Sequence, residues 1–143
     1  MKMRIGILFV ALFSLLLMTS ASSLVTTGIE FDDMTLEKAK VLSKKTGKLI
    51  FIDCYTDWCG PCKRMAATSF KDETVGKLYN DNFIKLKVEM EKNPDGRALA
   101  QRYKVRAYPT LLIIDGDGNL VKQIVGMQSK DGLLMFAKSA MGK

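Results

Sequence analysis

Three spacings of apolar residues divide this chain into elements. Leu36, Ala39 and Leu42 recur at helical intervals, behind the capping oxygens of Asp32, Asp33 and Thr35 and ahead of Gly47, which stops a helix. Lys48–Tyr55, KLIFIDCY, is a short β-branched and aromatic run that predicts a buried central strand. Phe83–Glu89, FIKLKVE, alternates apolar and polar residues with the period of two that marks a strand. Between those strands, Cys59-Gly60-Pro61-Cys62 opens a helix, where Pro61 is acceptable because a first-turn N–H goes unpaired anyway. Asp72 restarts a second helix through Val75, Leu78 and Tyr79. Asn93–Gly96 reads as a turn and Arg97–Tyr103 as a short helix. Thr110–Ile114 and Leu120–Val125 are strands joined across Asp115-Gly116-Asp117-Gly118-Asn119, a hairpin signal. Ser129 caps a last helix carrying Leu133, Leu134, Phe136 and Ala137. Thr27–Phe31, TGIEF, is expected to add an edge strand. The order β-α-β-α-β-α-β-β-α implies an α/β fold, a central mixed sheet flanked by helices on both faces.

One apolar run fits none of these periods. Ile5–Met18, 14 residues behind Lys2 and Arg4, is followed by the small polar stretch Thr19–Ser23. That is the layout of a secretory signal peptide, and it falls short of the ~20 residues that span a bilayer. Residues 1–21 are therefore expected to be a signal peptide, cut after Ala21 or Ser23, and residues 22–143 one domain. The alternative is an uncleaved membrane tether. Cleavage after Ala21 lowers the net charge from +7 to +5 and leaves 122 residues, enough for a sound core.

Composition then narrows the chemistry. The chain has 3 Cys and no His. Ser–His and Cys–His pairs and His-ligated metals are excluded, and three thiolates do not close a four-Cys zinc or iron–sulfur site. Asp115, Asp117 and Asn119 mimic the start of a calcium loop, but Leu120 and Gly126 stand where that loop needs Gly and Glu. The basic residues are scattered among acids, which argues against nucleic-acid binding. No metal or cofactor is expected.

Cys59 and Cys62 lie too close in sequence to staple distant parts of a fold. A Cys at a helix start is favoured as thiolate by the helix dipole and free N–H groups. Cys59 is expected on the exposed side of the turn as the attacking sulfur, with Cys62 one helical turn further in to resolve the mixed disulfide. A haem-attachment reading needs His where Lys63 stands.

With Asp57-Trp58-Cys59-Gly60-Pro61-Cys62-Lys63, Asp53 six residues before Cys59, Tyr108-Pro109-Thr110 and Gly126, the chain resembles the thioredoxin superfamily over about residues 27–143. The resemblance implies a thioredoxin fold and a redox-active disulfide between Cys59 and Cys62. It matches Asp53 to a buried acid whose pKa burial raises, able to take the proton from Cys62. It matches Tyr108-Pro109 to a cis-proline loop whose backbone pairs with an extended substrate, and Trp58, Gly60 and Pro61 to the substrate-facing surface. Core filler is the competing role for Trp58. The longer region after Cys62 looks like that of exported thioredoxin-like proteins and the terminal domains of transmembrane disulfide reductants. The resemblance offers Lys87 as a match to the superfamily's lysine near the buried acid, but that length difference leaves its register open, so Lys87 stays outside the core assignment. Cys54 should turn away from Asp53 into the opposite core as a small hydrophobe, the alternative being a regulatory or intermolecular disulfide.

The function expected is an exported, periplasmic thiol–disulfide oxidoreductase, monomeric, reducing disulfides in envelope proteins and itself reduced by a membrane electron donor. The Gly60-Pro61 pair resembles reducing members of the superfamily, and the missing His predicts a near-neutral rather than strongly acidic Cys59 thiol. The competitors are a thiol oxidase or disulfide isomerase using the same dithiol, and a thioredoxin-fold adaptor without turnover.

Overall fold

The structure, a computed structural model, describes residues 28–142. The expected signal peptide, its cleavage site and Thr27 lie outside the described residues. Helix α1 spans Leu36–Thr46; the Thr35 hydroxyl accepts the Lys38 N–H, and Gly47 closes the helix in the left-handed region at φ 73°. Strand β1, Leu49–Tyr55, leads into α2, Gly60–Ala67. A 3-10 turn at Ser69–Lys71 precedes α3, Glu73–Asn82, whose first turn is capped by the Asp72 carboxylate on Val75 N–H at 3.1 Å. Then follow β2 (Phe83–Glu89), α4 (Gly96–Tyr103), β3 (Thr110–Ile114), β4 (Leu120–Val125) and α5 (Lys130–Ala140), the last capped by Ser129. No helix among the described residues is long and apolar enough to cross a membrane.

The strands form one mixed sheet in the order β2-β1-β3-β4, with β1–β2 parallel and the other two pairs antiparallel. Alternation along β1 divides the core. Ile50, Ile52 and Cys54 pack with Ala39, Leu99 and Tyr103 on the α1/α4 face. Phe51 packs with Met65, Tyr79 and Phe136 on the α2/α3/α5 face, and Asp53, two residues on, points the same way. Two sheet faces each covered by helices put the C-terminal end of β1, buried from Ile50 to Cys54, under the dithiol turn.

Residues 28–31, the described part of the edge strand expected at Thr27–Phe31, form no strand. Asp32 N–H reaches Lys85 O at 2.7 Å, but the Asp32 carboxylate, not a main-chain oxygen, takes the Lys85 N–H at 2.8 Å. A side chain therefore ends the ladder before it starts. The segment instead passes over α3, with Ile29 N–H on Phe70 O at 2.7 Å and the Asn80 amide on Gly28 O at 3.1 Å. Strand β2 forms over the expected Phe83–Glu89, but its polar face is not left to solvent. Its polar residues Lys85 and Glu89 are buried, because this face lies beneath the N-terminal segment and the dithiol turn.

The hairpin loop is a turn closed on itself. Asp115 accepts Asp117 N–H, Asn119 N–H and the Asn119 amide within 2.9 Å, which holds its carboxyl below the usual range. Gly118 O takes the Arg102 guanidinium and, at 2.8 Å, the Tyr103 hydroxyl, fastening the loop to α4.

Candidate functional site

Burial of β1 on both faces carries the chain out of the sheet at Tyr55, and Thr56-Asp57-Trp58 turns it into α2. Cys59 is the N-cap of that helix: its N–H donates to Thr56 O at 3.2 Å and its sulfur accepts Cys62 N–H at 3.2 Å. Cys59 and Cys62 are joined as a disulfide with their Cα atoms 5.3 Å apart. The expectation of an exposed Cys59 is corrected. Both cysteines are 3% exposed, because the N-cap conformation folds the Cys59 sulfur back over the first turn. Beyond Gly60, the space a side chain would occupy is open.

Trp58 is 65% exposed, which removes the core-filler reading. Its indole N–H donates to Glu91 Oε1 at 3.1 Å, and its ring meets Tyr108 edge-on with centroids 5.9 Å apart. The Tyr108–Pro109 peptide is cis. Gly126 N–H donates to Pro109 O at 2.7 Å, tying the end of β4 to this loop.

Asp53 is 1% exposed, and burial pushes its carboxyl up, with the neighbouring Lys87 ammonium opposing that rise. Lys87 Nζ lies 2.6 Å from Asp53 Oδ2. The same ammonium sits 4.0 Å from the centre of the Tyr55 ring and within 5.8 Å of the Phe31 and Phe70 rings. Aromatic faces stabilise a partly desolvated cation, so the cage keeps this ammonium beside the acid. A cavity of about 150 Å³ is walled by Cys62, Lys87, Thr56 and Ala66. Asp53 Oδ1 and the buried Thr56 hydroxyl have no hydrogen-bond partner among the described residues.

The fold thus brings Cys59, Cys62, Trp58, Gly60, Pro61, Tyr108 and Pro109 to one end of the sheet, with Asp53 buried below them. The β1–β2 pairing sets Lys87 opposite Asp53 and so fixes the register that the sequence leaves open. The signal of Lys87 in the sequence was the polar alternation of FIKLKVE, which groups Lys85, Lys87 and Glu89 on one face without saying whose neighbours they are. Glu91 and Thr56 carried no sequence signal. Cys54 is buried on the opposite face, and burial holds its thiol protonated by pushing its pKa far up.

A thioredoxin-like domain family matches residues 36–139 of the chain. The thiol:disulfide interchange protein DsbD of Haemophilus influenzae (strain PittEE) is 31% identical over 108 residues, covering 73% of this chain and 18% of that protein. Thioredoxin-T of Drosophila melanogaster is 39% identical over 93 residues, 65% of this chain and 55% of that protein. The chain thus spans under a fifth of the DsbD relative and about half of thioredoxin-T. A solution structure from Bacteroides thetaiotaomicron, of a protein provisionally named a disulphide-isomerase, superposes with a TM-score of 0.71 at 40% identity, covering 81% of this chain and 95% of that one. The oxidised C-terminal domain of Neisseria meningitidis DsbD shares the fold, with a TM-score of 0.62 at 23% identity over 79% of this chain and 99% of that one.

Proposed function

The chain belongs to the thioredoxin-like family of thiol–disulfide oxidoreductases, and from that premise we propose that it is an exported reductant of disulfides in envelope proteins. The observation that carries this reading is the Cys59–Cys62 disulfide at the start of α2, beside a cis-proline loop and above a buried acid. In the reduced protein, the Cys59 thiolate attacks one sulfur of a substrate disulfide. A mixed disulfide forms, and the first substrate sulfur departs as a thiolate that takes a proton from water. Cys62 then gives its proton to the Asp53 carboxylate, directly or through a water, and its thiolate attacks Cys59. The second substrate thiolate leaves, and the Cys59–Cys62 disulfide holds the two electrons' worth of oxidation. A dithiol electron donor, membrane-borne in an exported protein, returns it to the reduced state. The Tyr108-Pro109 backbone and the Trp58 ring line the approach of an extended substrate.

A second reading is favoured by the Bacteroides likeness: the same dithiol reshuffling non-native disulfides. The test is Cys62→Ala expressed with its own leader. On the reductant reading this variant traps mixed disulfides with envelope proteins through Cys59, and the wild type reduces insulin faster than it restores activity to a scrambled disulfide protein. The reverse order of those two rates establishes the isomerase instead. No trapped partners and no insulin reduction would leave only an adaptor.

A further inference from the structure

Glu89, the last residue of β2, is 8% exposed, and among the described residues its carboxylate makes no ion pair. A buried carboxylate without a cation must be satisfied by hydrogen bonds. Here all three donors are backbone N–H groups: Asp57 on Oε1 at 3.1 Å, with Glu91 at 2.9 Å and Lys92 at 2.6 Å on Oε2. These three residues surround Trp58. Asp57 precedes it in the chain, Glu91 accepts its indole N–H, and Lys92 forms an ion pair with the Asp57 carboxylate. One side chain therefore holds both loops between which the indole is suspended. At 65% exposure the ring has little packing of its own, so its direction depends on where those loops stand.

We propose that Glu89 is a positioning residue for protein substrates: by receiving the Asp57 and Glu91 N–H groups it holds the Trp58 ring against Tyr108 beside the dithiol. It acts on recognition of the polypeptide and leaves the sulfur chemistry alone. This rests on the reading of Trp58 as substrate-facing. The charge-assisted form is required, because an amide at this position turns an N–H toward one of the three donors and loses that bond.

The test compares wild type, Glu89→Gln, Trp58→Phe and the double variant. Trp58 is the sole tryptophan, so intrinsic emission reports this ring alone. Glu89→Gln is expected to shift that emission and raise KM for insulin about tenfold. The value of kcat, the reduction potential and the rate with a small aliphatic disulfide should stay within about twofold. In the double variant the two KM penalties should not add, because both act through one ring. Additive penalties, or unchanged KM and emission, would overturn the proposal. So would a parallel fall in kcat and in small-disulfide reduction, which would mean that Glu89 supports the dithiol itself. If Glu89→Gln does not fold, Glu89→Asp, with its carboxylate drawn back one methylene, carries the same comparison. If the wild type reduces no protein, the functional reading fails instead, and the emission shift still decides whether Glu89 positions Trp58.

Discussion

At the residue scale, two opposing effects meet at Asp53. Burial disfavours its charge and Lys87 favours it; burial prevails, so the folded pKa stands above the unfolded value. In the pH window between those two values the folded state binds the proton more firmly, and stability falls as pH rises through it. Asp53→Asn mimics the neutral acid. It is expected to match wild-type stability in acid and to exceed it at neutral pH, where the wild type carries the buried charge. The same variant should slow resolution of a mixed disulfide by about 100- to 10,000-fold, the usual contribution of a positioned base. Thermal midpoints against pH and single-turnover resolution rates measure the two effects separately. A loss of stability at neutral pH would mean that the Lys87 pair outweighs burial after all. Cys59 and Cys62 are legible from their spacing, and Asp53 from the superfamily resemblance that matches it to a buried acid. The resemblance offered Lys87 as a lysine near that acid but could not fix it there, because a pairing between parallel strands separated by two helices depends on a register that no local pattern encodes.

Among the elements, helix boundaries agreed with their caps: Thr35, Asp72 and Ser129 each accept an N–H from their own first turn, as their side chains predict. These are local contacts, a few residues apart, and local chemistry is what a sequence displays. The N-terminal segment is the counterexample. TGIEF has the composition of a strand, yet its path is decided by Asp32 on β2 and by a close approach of backbone to α3. Gly76 lies against Gly28 so tightly that a Cβ would overlap the Gly28 main chain. Gly76→Ala is therefore expected to cost about 1–3 kcal/mol, in the range of core overpacking. The loss should be accompanied by faster exchange of the Ile29 N–H, which is bonded to Phe70 O. Chemical denaturation and hydrogen exchange read both, and a neutral result would mean that the segment yields freely to the added methyl.

For the whole molecule, the apolar run Ile5–Met18 underlies our proposal that a leader is removed. The protein recovered from the envelope of expressing cells is expected to start at Ser22 or Leu24, which intact-mass spectrometry or N-terminal sequencing will show. A start at Met1 in the membrane fraction would establish the tether instead. The sequence alone determined the order of elements from Leu36 onward, the two-faced α/β design and the dithiol at a helix start, since each rests on periodicity, caps or a short motif. It also placed Cys54 away from the chemistry, by strand alternation. Only the tertiary structure decided that Cys59 is as buried as Cys62, that Lys87 sits in an aromatic cage against Asp53, and that Glu89 gathers the loops around Trp58. The last two depend on which strands pair, in what register, and on which loops meet above them. Such contacts between residues more than 30 positions apart arise from packing two sheet faces at once, and no window along the chain contains them.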